Sequence, residues 1–174
     1  DALTGAFKRM WGAFGNVAVD APPVPAGARR PVPPMLTDGP GPDQFDVVHA
    51  LTVSNDGLVY VADRQNRRIQ VFTLEGRYVT QTFINRHSPY PRTGGGLAFS
   101  PDAGQRFLYV SYFDNGQVVI VDRLTLETIG TFGSRSAKPG DFQSLHSLAA
   151  DSKGDLYTAE VAPGARIQKF LFKG

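Results

Sequence analysis

Residues 45–83 read FDVVHALTVSNDGLVYVADRQNRRIQVFTLEGRYVTQTF. Four short runs in it, His49–Val53, Leu58–Asp63, Arg68–Phe72 and Tyr78–Phe83, are rich in Val, Ile, Leu, Tyr and Phe. Such side chains suit a half-buried pleated surface, so each run predicts a strand. Between the runs stand turn signals: Asn55-Asp56-Gly57, Gln65-Asn66-Arg67 and Glu75-Gly76. Asp-Gly between two apolar runs marks a hairpin, because the tight turn needs positive φ where Gly meets no steric cost. Four antiparallel strands in about 40 residues is the size of one β-propeller blade.

Working outward, a second blade is expected with strands Gly96–Ser100, Phe107–Tyr112, Gln117–Asp122 and Thr128–Phe132. A third begins near Phe142, with strands Leu145–Ala150, Leu156–Glu160 and Arg166–Phe170. The first and third blades share a spacing. His49 and His146 are each followed by Gly at eight positions (Gly57, Gly154), Tyr at eleven (Tyr60, Tyr157) and an acid at fourteen (Asp63, Glu160). Self-similarity of this kind is the signature of a repeat architecture. Upstream, residues 1–15 (DALTGAFKRMWGAFG) read as the end of a blade, with Phe7–Trp11 as an outer strand. Residues 16–42 differ in composition: eight of the thirteen prolines lie between Pro22 and Pro42, so this stretch is an inserted loop, neither helix nor central strand. The domain plan is therefore a single unit over 1–174: an outer strand in 1–15, the Pro-rich loop 16–42, blades at 43–84 and 88–133, and a blade at 139–174 that lacks its outer strand.

The segments NDGLVYVADRQNRRIQVFTLEGRYV and SKGDLYTAEVAPGARIQKF resemble NHL repeats, the blades of six-bladed NHL propellers. The resemblance covers nearly everything outside the Pro-rich loop. It implies an all-β, antiparallel propeller; for function it implies only a scaffold used by protein-binding, RNA-binding and enzymatic members alike. Three blades do not close a ring, since propellers use about four to eight. An arc exposes two blade faces and two strand edges. The expected partner is therefore a second copy: two half-rings related by a two-fold axis make six blades, each chain's Phe7–Trp11 completing the third blade of its mate. The alternative is that the chain is a fragment of a longer single-chain propeller. Phe7, Trp11, Tyr60, Phe72, Phe99, Tyr109, Tyr157, Ile167 and Phe170 are expected in the layers between blades.

Composition narrows the classes. With 41% hydrophobic and 20% charged residues the chain is globular, and without cysteine it has no disulfides or thiol chemistry. No apolar run approaches the roughly 20 residues that span a bilayer, so no membrane segment is expected. The compartment stays open; an upstream signal removed by processing would make the chain secreted or periplasmic. The net charge of +2 is spread thinly apart from Arg29-Arg30 and Arg64/Arg67/Arg68, which is no nucleic-acid footprint.

In a propeller the innermost strands line a central channel, and the loops entering them share one face. That face should gather Asp63, Arg64, Tyr112, Phe113, Asp114 and Glu160 as candidate ligand-binding residues. His49 and His146 start innermost strands two blades apart, where neutral imidazoles converging on one axis make metal ligands. The pattern is similar to that of the peptidyl-hydroxyglycine amidating lyases, propellers that hold zinc with three histidines from alternate blades. His49 in VVHAL and His146 in SLHSL fall on their histidine positions, and Arg64 in VADR on a catalytic arginine. The prolines before those histidines are missing here, and Gly95 stands in the corresponding place of the second blade. His87 reads as solvated, and Gly94-Gly95-Gly96, with no helix behind it, as a place where backbones approach the axis. The expected function is a binding or scaffold module for a peptide, protein or small ligand at the channel-mouth face, with no catalytic residue and no cofactor. The alternative is a metal-dependent lyase or hydrolase, with zinc or another divalent metal on His49 and His146.

Overall fold

The chain is described here by a computed structural model covering residues 1–28, 31, 34, 35 and 38–173. The expected Arg29-Arg30 basic pair lies outside the described residues. Among the described residues there are eleven strands: β1 Val48–Val53, β2 Leu58–Asp63, β3 Arg68–Thr73, β4 Tyr78–Phe83, β5 Leu97–Phe99, β6 Phe107–Tyr112, β7 Gln117–Asp122, β8 Thr128–Phe132, β9 Leu145–Ala150, β10 Leu156–Glu160 and β11 Ile167–Phe170. They form three antiparallel meanders, β1-β2-β3-β4, β5-β6-β7-β8 and β9-β10-β11. These are the blades of a β-propeller, here called blades 1, 2 and 3. Among the described residues no helix is long and apolar enough to cross a membrane.

The blades stack face to face. Tyr60, Ala62, Ile69 and Val71 of blade 1 meet Leu97, Phe99, Leu108 and Val110 of blade 2. The alternate residues of blade 2, among them Ala98, Tyr109 and Val118, meet Phe142, Leu145 and Leu148 of blade 3. Period-two alternation thus feeds two cores from one sheet. The third cluster, Val59, Val61 and Phe72, lies on the side of blade 1 away from blade 2 and is covered by Trp11, Phe45 and Tyr78.

Residues 7–11 form no strand within the chain; Phe7 and Met10 are exposed. Trp11 turns back onto blade 1, where its indole lies 6.1 Å from the Phe72 ring, and a short helical turn, Ala13–Gly15, follows. The covering shows in the burial of the strands. β2 and β3 are buried on both faces, whereas β10 alternates buried and half-buried because no blade packs on its far side among the described residues. For the same reason Ile167, expected between blades, is exposed.

The Pro-rich loop is strapped to blade 1 through its carbonyls. Arg67 donates to the Pro34 oxygen at 3.1 Å, Arg68 to that of Pro40 at 3.2 Å, and Arg86 to that of Gly39 at 2.5 Å. Proline carbonyls remain acceptors although the ring removes the donor, so a loop unable to join a ladder is held by guanidinium groups instead.

Candidate functional site

Strands β1, β5 and β9 are the innermost strands and lie next to one another. Both candidate histidines sit on irregularities at their starts. The β1–β2 ladder pairs Val48 with Asp63 and then Ala50 with Ala62, leaving His49 as the extra residue. The β9–β10 ladder pairs Leu145 with Glu160 and then Ser147 with Ala159, leaving His146 as the extra residue. A bulge of this kind re-aims a side chain out of the pleat. Here it turns both imidazoles toward the axis, where their Nε2 atoms stand 3.3 Å apart and their ring centroids 4.6 Å apart.

Gly95 and Gly96 of blade 2 make that approach possible. A methyl group on Gly95 would stand 2.4 Å from Ser111 Oγ and 3.2 Å from the His146 oxygen; one on Gly96 would stand 3.0 Å from the backbone of Ser147 and Leu148. The triple glycine is thus a point of close backbone approach, as the sequence suggested.

Around the imidazole pair lie Arg64, Phe113, Asp114 and a residue the sequence reading missed, Arg92. The Phe113 ring meets His146 edge-on at 6.2 Å. The Arg92 guanidinium lies over the same ring, 4.4 Å from the Phe113 centroid, and pairs with Asp114 at 2.7 Å. Asp114 also accepts from the Arg92 backbone N–H at 2.9 Å. Arg92, Asp114, Tyr90 and Arg135 line a depression of about 300 Å³ beside the channel mouth. Arg92 comes from the loop joining blades 1 and 2, which has no strand periodicity to draw notice.

Arg64 is the least satisfied member. Its backbone N–H donates to Val47 at 3.1 Å, but its buried Nε has no hydrogen-bond partner among the described residues. Burial lowers its affinity for its proton, as does the nearby Arg92 charge, against the pull of Asp114 and Asp46. Burial also holds His49 below the ordinary histidine range, with the Arg64 and His146 charges adding to it; the Gly95 backbone opposes, without the geometry of a hydrogen bond. His49 Nδ1 is buried without a hydrogen-bond partner among the described residues.

The other expected site residues stand elsewhere. Asp63 is fully buried and accepts from the Asp46 N–H, Asn66 and Arg68, each at 2.8 Å. Glu160 accepts from the Gln143 and Ser144 N–H groups at 2.6 and 3.0 Å and from Arg166 at 2.5 Å. The Tyr112 hydroxyl donates to Ser88 at 2.8 Å and accepts from Asn85 at 2.9 Å. All three occupy the same position, the end of a blade's second strand, and each ties that end to the loop entering its own blade. Their polar atoms are spent on latches. His87 is exposed, as expected.

Histidine, cysteine, aspartate and glutamate side chains come together nowhere in a group of three or more suited to a metal among the described residues. The imidazole pair alone has the right bite. With zinc–nitrogen distances of about 2.0–2.1 Å, two ligands of a tetrahedral site stand about 3.3–3.4 Å apart, against the 3.3 Å observed.

Comparisons with known proteins agree with the architecture. The family model described as NHL repeat matches residues 45–72. Human NHL repeat-containing protein 3 is 30% identical over 139 residues, 77% of this chain and 38% of that protein. Peptidyl-glycine alpha-amidating monooxygenase B of Xenopus laevis is 28% identical over 137 residues, 75% of this chain and 15% of that protein. The chain therefore spans well under half the length of either relative. Among solved structures, a putative 6-phosphogluconolactonase from Bacteroides uniformis matches with a TM-score of 0.56 at 20% identity, over 72% of this chain and 37% of that one. The Cps50 (Swd1) β-propeller domain of Myceliophteria thermophila matches with 0.52 at 16% identity, over 71% and 40%. At such identities these two speak for the fold alone. Blade topology, the matched repeat and the relatives together place the chain in the family of NHL-repeat β-propellers.

Proposed function

We propose that the chain is a binding module that takes a carboxylate-bearing ligand, such as a peptide terminus or a small acid, at the channel mouth beside the two imidazoles. The observation that carries this is Arg64: a guanidinium whose buried Nε lacks a partner among the described residues in a protein where Arg67, Arg68, Arg123 and Arg166 are all engaged. An unmade hydrogen bond from a buried charged donor costs free energy that a ligand recovers, and guanidinium matches carboxylate geometry better than any other side chain. Phe113 and Arg92 supply the apolar and cationic walls beside it. The test is calorimetric titration of an acetylated tripeptide with a free carboxylate against its methyl ester. A charged hydrogen bond of roughly 1.5–3 kcal/mol predicts about 10- to 100-fold weaker binding for the ester, and a similar loss for the acid on Arg64→Ala. Equal binding of acid and ester would defeat the proposal.

The spacing of His49 Nε2 and His146 Nε2 supports a second possibility, a metal-dependent lyase or hydrolase. Zinc or another divalent ion would sit on these two imidazoles and act as a Lewis acid on a bound oxygen. Two ligands are half a tetrahedral site, so further ligands would come from outside the described residues. Elemental analysis after equilibration with zinc checks it: one ion per site, lost in both His49→Ala and His146→Ala, is the expected result.

We also propose that the arc of three blades is closed into a ring by a second copy. The support is the far side of blade 3, on which no blade packs among the described residues and where Ile167, Leu171 and Phe172 are exposed.

A further inference from the structure

The two faces of blade 2 open on different grooves. In the β7–β8 ladder Ile120 pairs with Gly130 and Val121 with Thr128, which leaves Ile129 as an extra residue. A bulge of this kind shifts the alternation of a strand by one. Thr128 and Thr131, three positions apart, therefore both turn toward blade 1, while Ile129 and Phe132 both turn toward blade 3. On the blade 3 side they join Phe107, Tyr109 and Phe170 in an aromatic groove. On the blade 1 side Thr128 and Thr131 join Asn85, Asn115 and Gln117 in a pocket of about 270 Å³. Its apolar floor is Ile84 and Val119, both buried. Thr82 ties the two blades together beside it, donating to the Leu126 oxygen at 2.9 Å.

The amides of this pocket are each half spent. Asn85 Nδ2 donates to the Tyr112 hydroxyl at 2.9 Å, and that hydroxyl donates onward to Ser88 at 2.8 Å. The Asn85 amide is thereby held by its nitrogen, and its Oδ1 is left as an acceptor. Asn115 Nδ2 donates to Gln117 Oε1, which leaves Asn115 Oδ1 as an acceptor and Gln117 Nε2 as a donor. The Thr128 and Thr131 hydroxyls make no hydrogen bond among the described residues, nor does a charged side chain of theirs line the pocket.

We infer that this pocket is a binding site for one neutral, polyhydroxylated ring, a monosaccharide unit. A sugar hydroxyl both donates and accepts, so neighbouring hydroxyls can meet an amide oxygen, an amide nitrogen and a threonine hydroxyl in turn. The C–H face of the ring would cover Ile84 and Val119. An ion would enter without a counter-charge. A purely apolar ligand would strip water from the amides and hydroxyls without replacing its bonds. The volume lies just below the roughly 300–1,000 Å³ of drug-sized sites, which suits a single ring. The inference does not rest on the carboxylate reading, since Arg64 and Arg92 are not among the walls of this pocket.

NMR titration of the full chain with D-glucose, D-galactose and D-mannose tests it, each raised to about 100 mM because a ligand of so few atoms reaches a dissociation constant of about 1–10 mM. The expected result is a saturable shift of the Asn85, Asn115 and Gln117 side-chain amide signals with at least one of these sugars. D-Glucuronate and D-glucosamine, charged versions of the ring, should bind more weakly than that sugar. Thr131→Val, which keeps the side-chain shape, and Gln117→Ala should each weaken binding about 2- to 10-fold, the loss of one neutral hydrogen bond. Thr80→Val, exposed on β4 and outside the pocket, should bind as the unaltered chain does. No saturable shift with any of the neutral sugars would overturn the inference. So would equal binding of the charged ones, or unchanged binding in both Thr131→Val and Gln117→Ala. Saturation by N-methylacetamide where the sugars fail would reassign the pocket to a peptide amide.

Discussion

At the scale of single residues, the backbone brings two imidazoles together at the innermost strands. Their approach is a consequence of one extra residue in each of two ladders and of a glycine between them, and its cost falls on the charged state. Burial and the Arg64 and His146 charges all hold His49 below its ordinary range. A histidine harder to protonate when folded than when unfolded leaves the unfolded chain binding more protons as the pH falls. Stability should therefore be full above about 6.5, the unfolded value, and decline as the pH drops from there through the lowered folded value. Urea denaturation between pH 7.5 and 5.5 should show this slope, below about 1.4 kcal/mol per pH unit, the limit for one proton. His49→Gln, which does not titrate, should flatten it. A slope unchanged by the substitution would mean that other groups carry it.

At the scale of elements, strand ends were legible in the sequence and side-chain destinations were not. Asn55-Asp56-Gly57 and Glu75-Gly76 punctuate blade 1 so plainly that β2 and β4 stand where the sequence put them. A bulge leaves no such mark, so nothing in VVHAL or SLHSL said that His49 and His146 would touch. Asp63, Tyr112 and Glu160 were misleading for a related reason. A polar residue closing an apolar strand looks the same whether it faces a ligand or its own loop; only the partners decide. For Asp63 they are decisive, since it and Arg68 are both fully buried, and Arg68 in turn holds the carbonyls of Pro40 and Gln44. Removing one member of a buried pair leaves the other charge uncompensated, at about 3–5 kcal/mol. Asp63→Ala should therefore lower unfolding stability by about that much and free the Pro-rich loop. Chemical denaturation measures the first, and limited proteolysis between residues 16 and 42 the second. An equally stable variant with an intact loop would show that the latch is redundant.

At the scale of the molecule, stability is distributed unevenly because, among the described residues, only blade 2 has a neighbouring blade on both sides. Blade 2 contributes to the core it shares with blade 1 and to the one it shares with blade 3. Blade 1 has its outer side covered by Trp11, Phe45 and Tyr78, while blade 3 leaves Ile167 bare. Phe7 and Ile167, placed between blades by their sequence pattern, are exposed because no blade lies against them among the described residues. Amides open locally at a cost set by the contacts they break. Hydrogen exchange should therefore be slowest in β6 and β7, intermediate in β2 and β3, and fastest among the ladders in β11. Dilution separates intrinsic from borrowed order. If a second copy covers the far side of blade 3, β11 should gain protection as protein concentration rises, by mass action, while β6 and β7 stay as they were. Protection of β11 that is high and indifferent to concentration would mean that blade 3 is stable with three strands, and the uneven distribution argued from its bare face would be wrong.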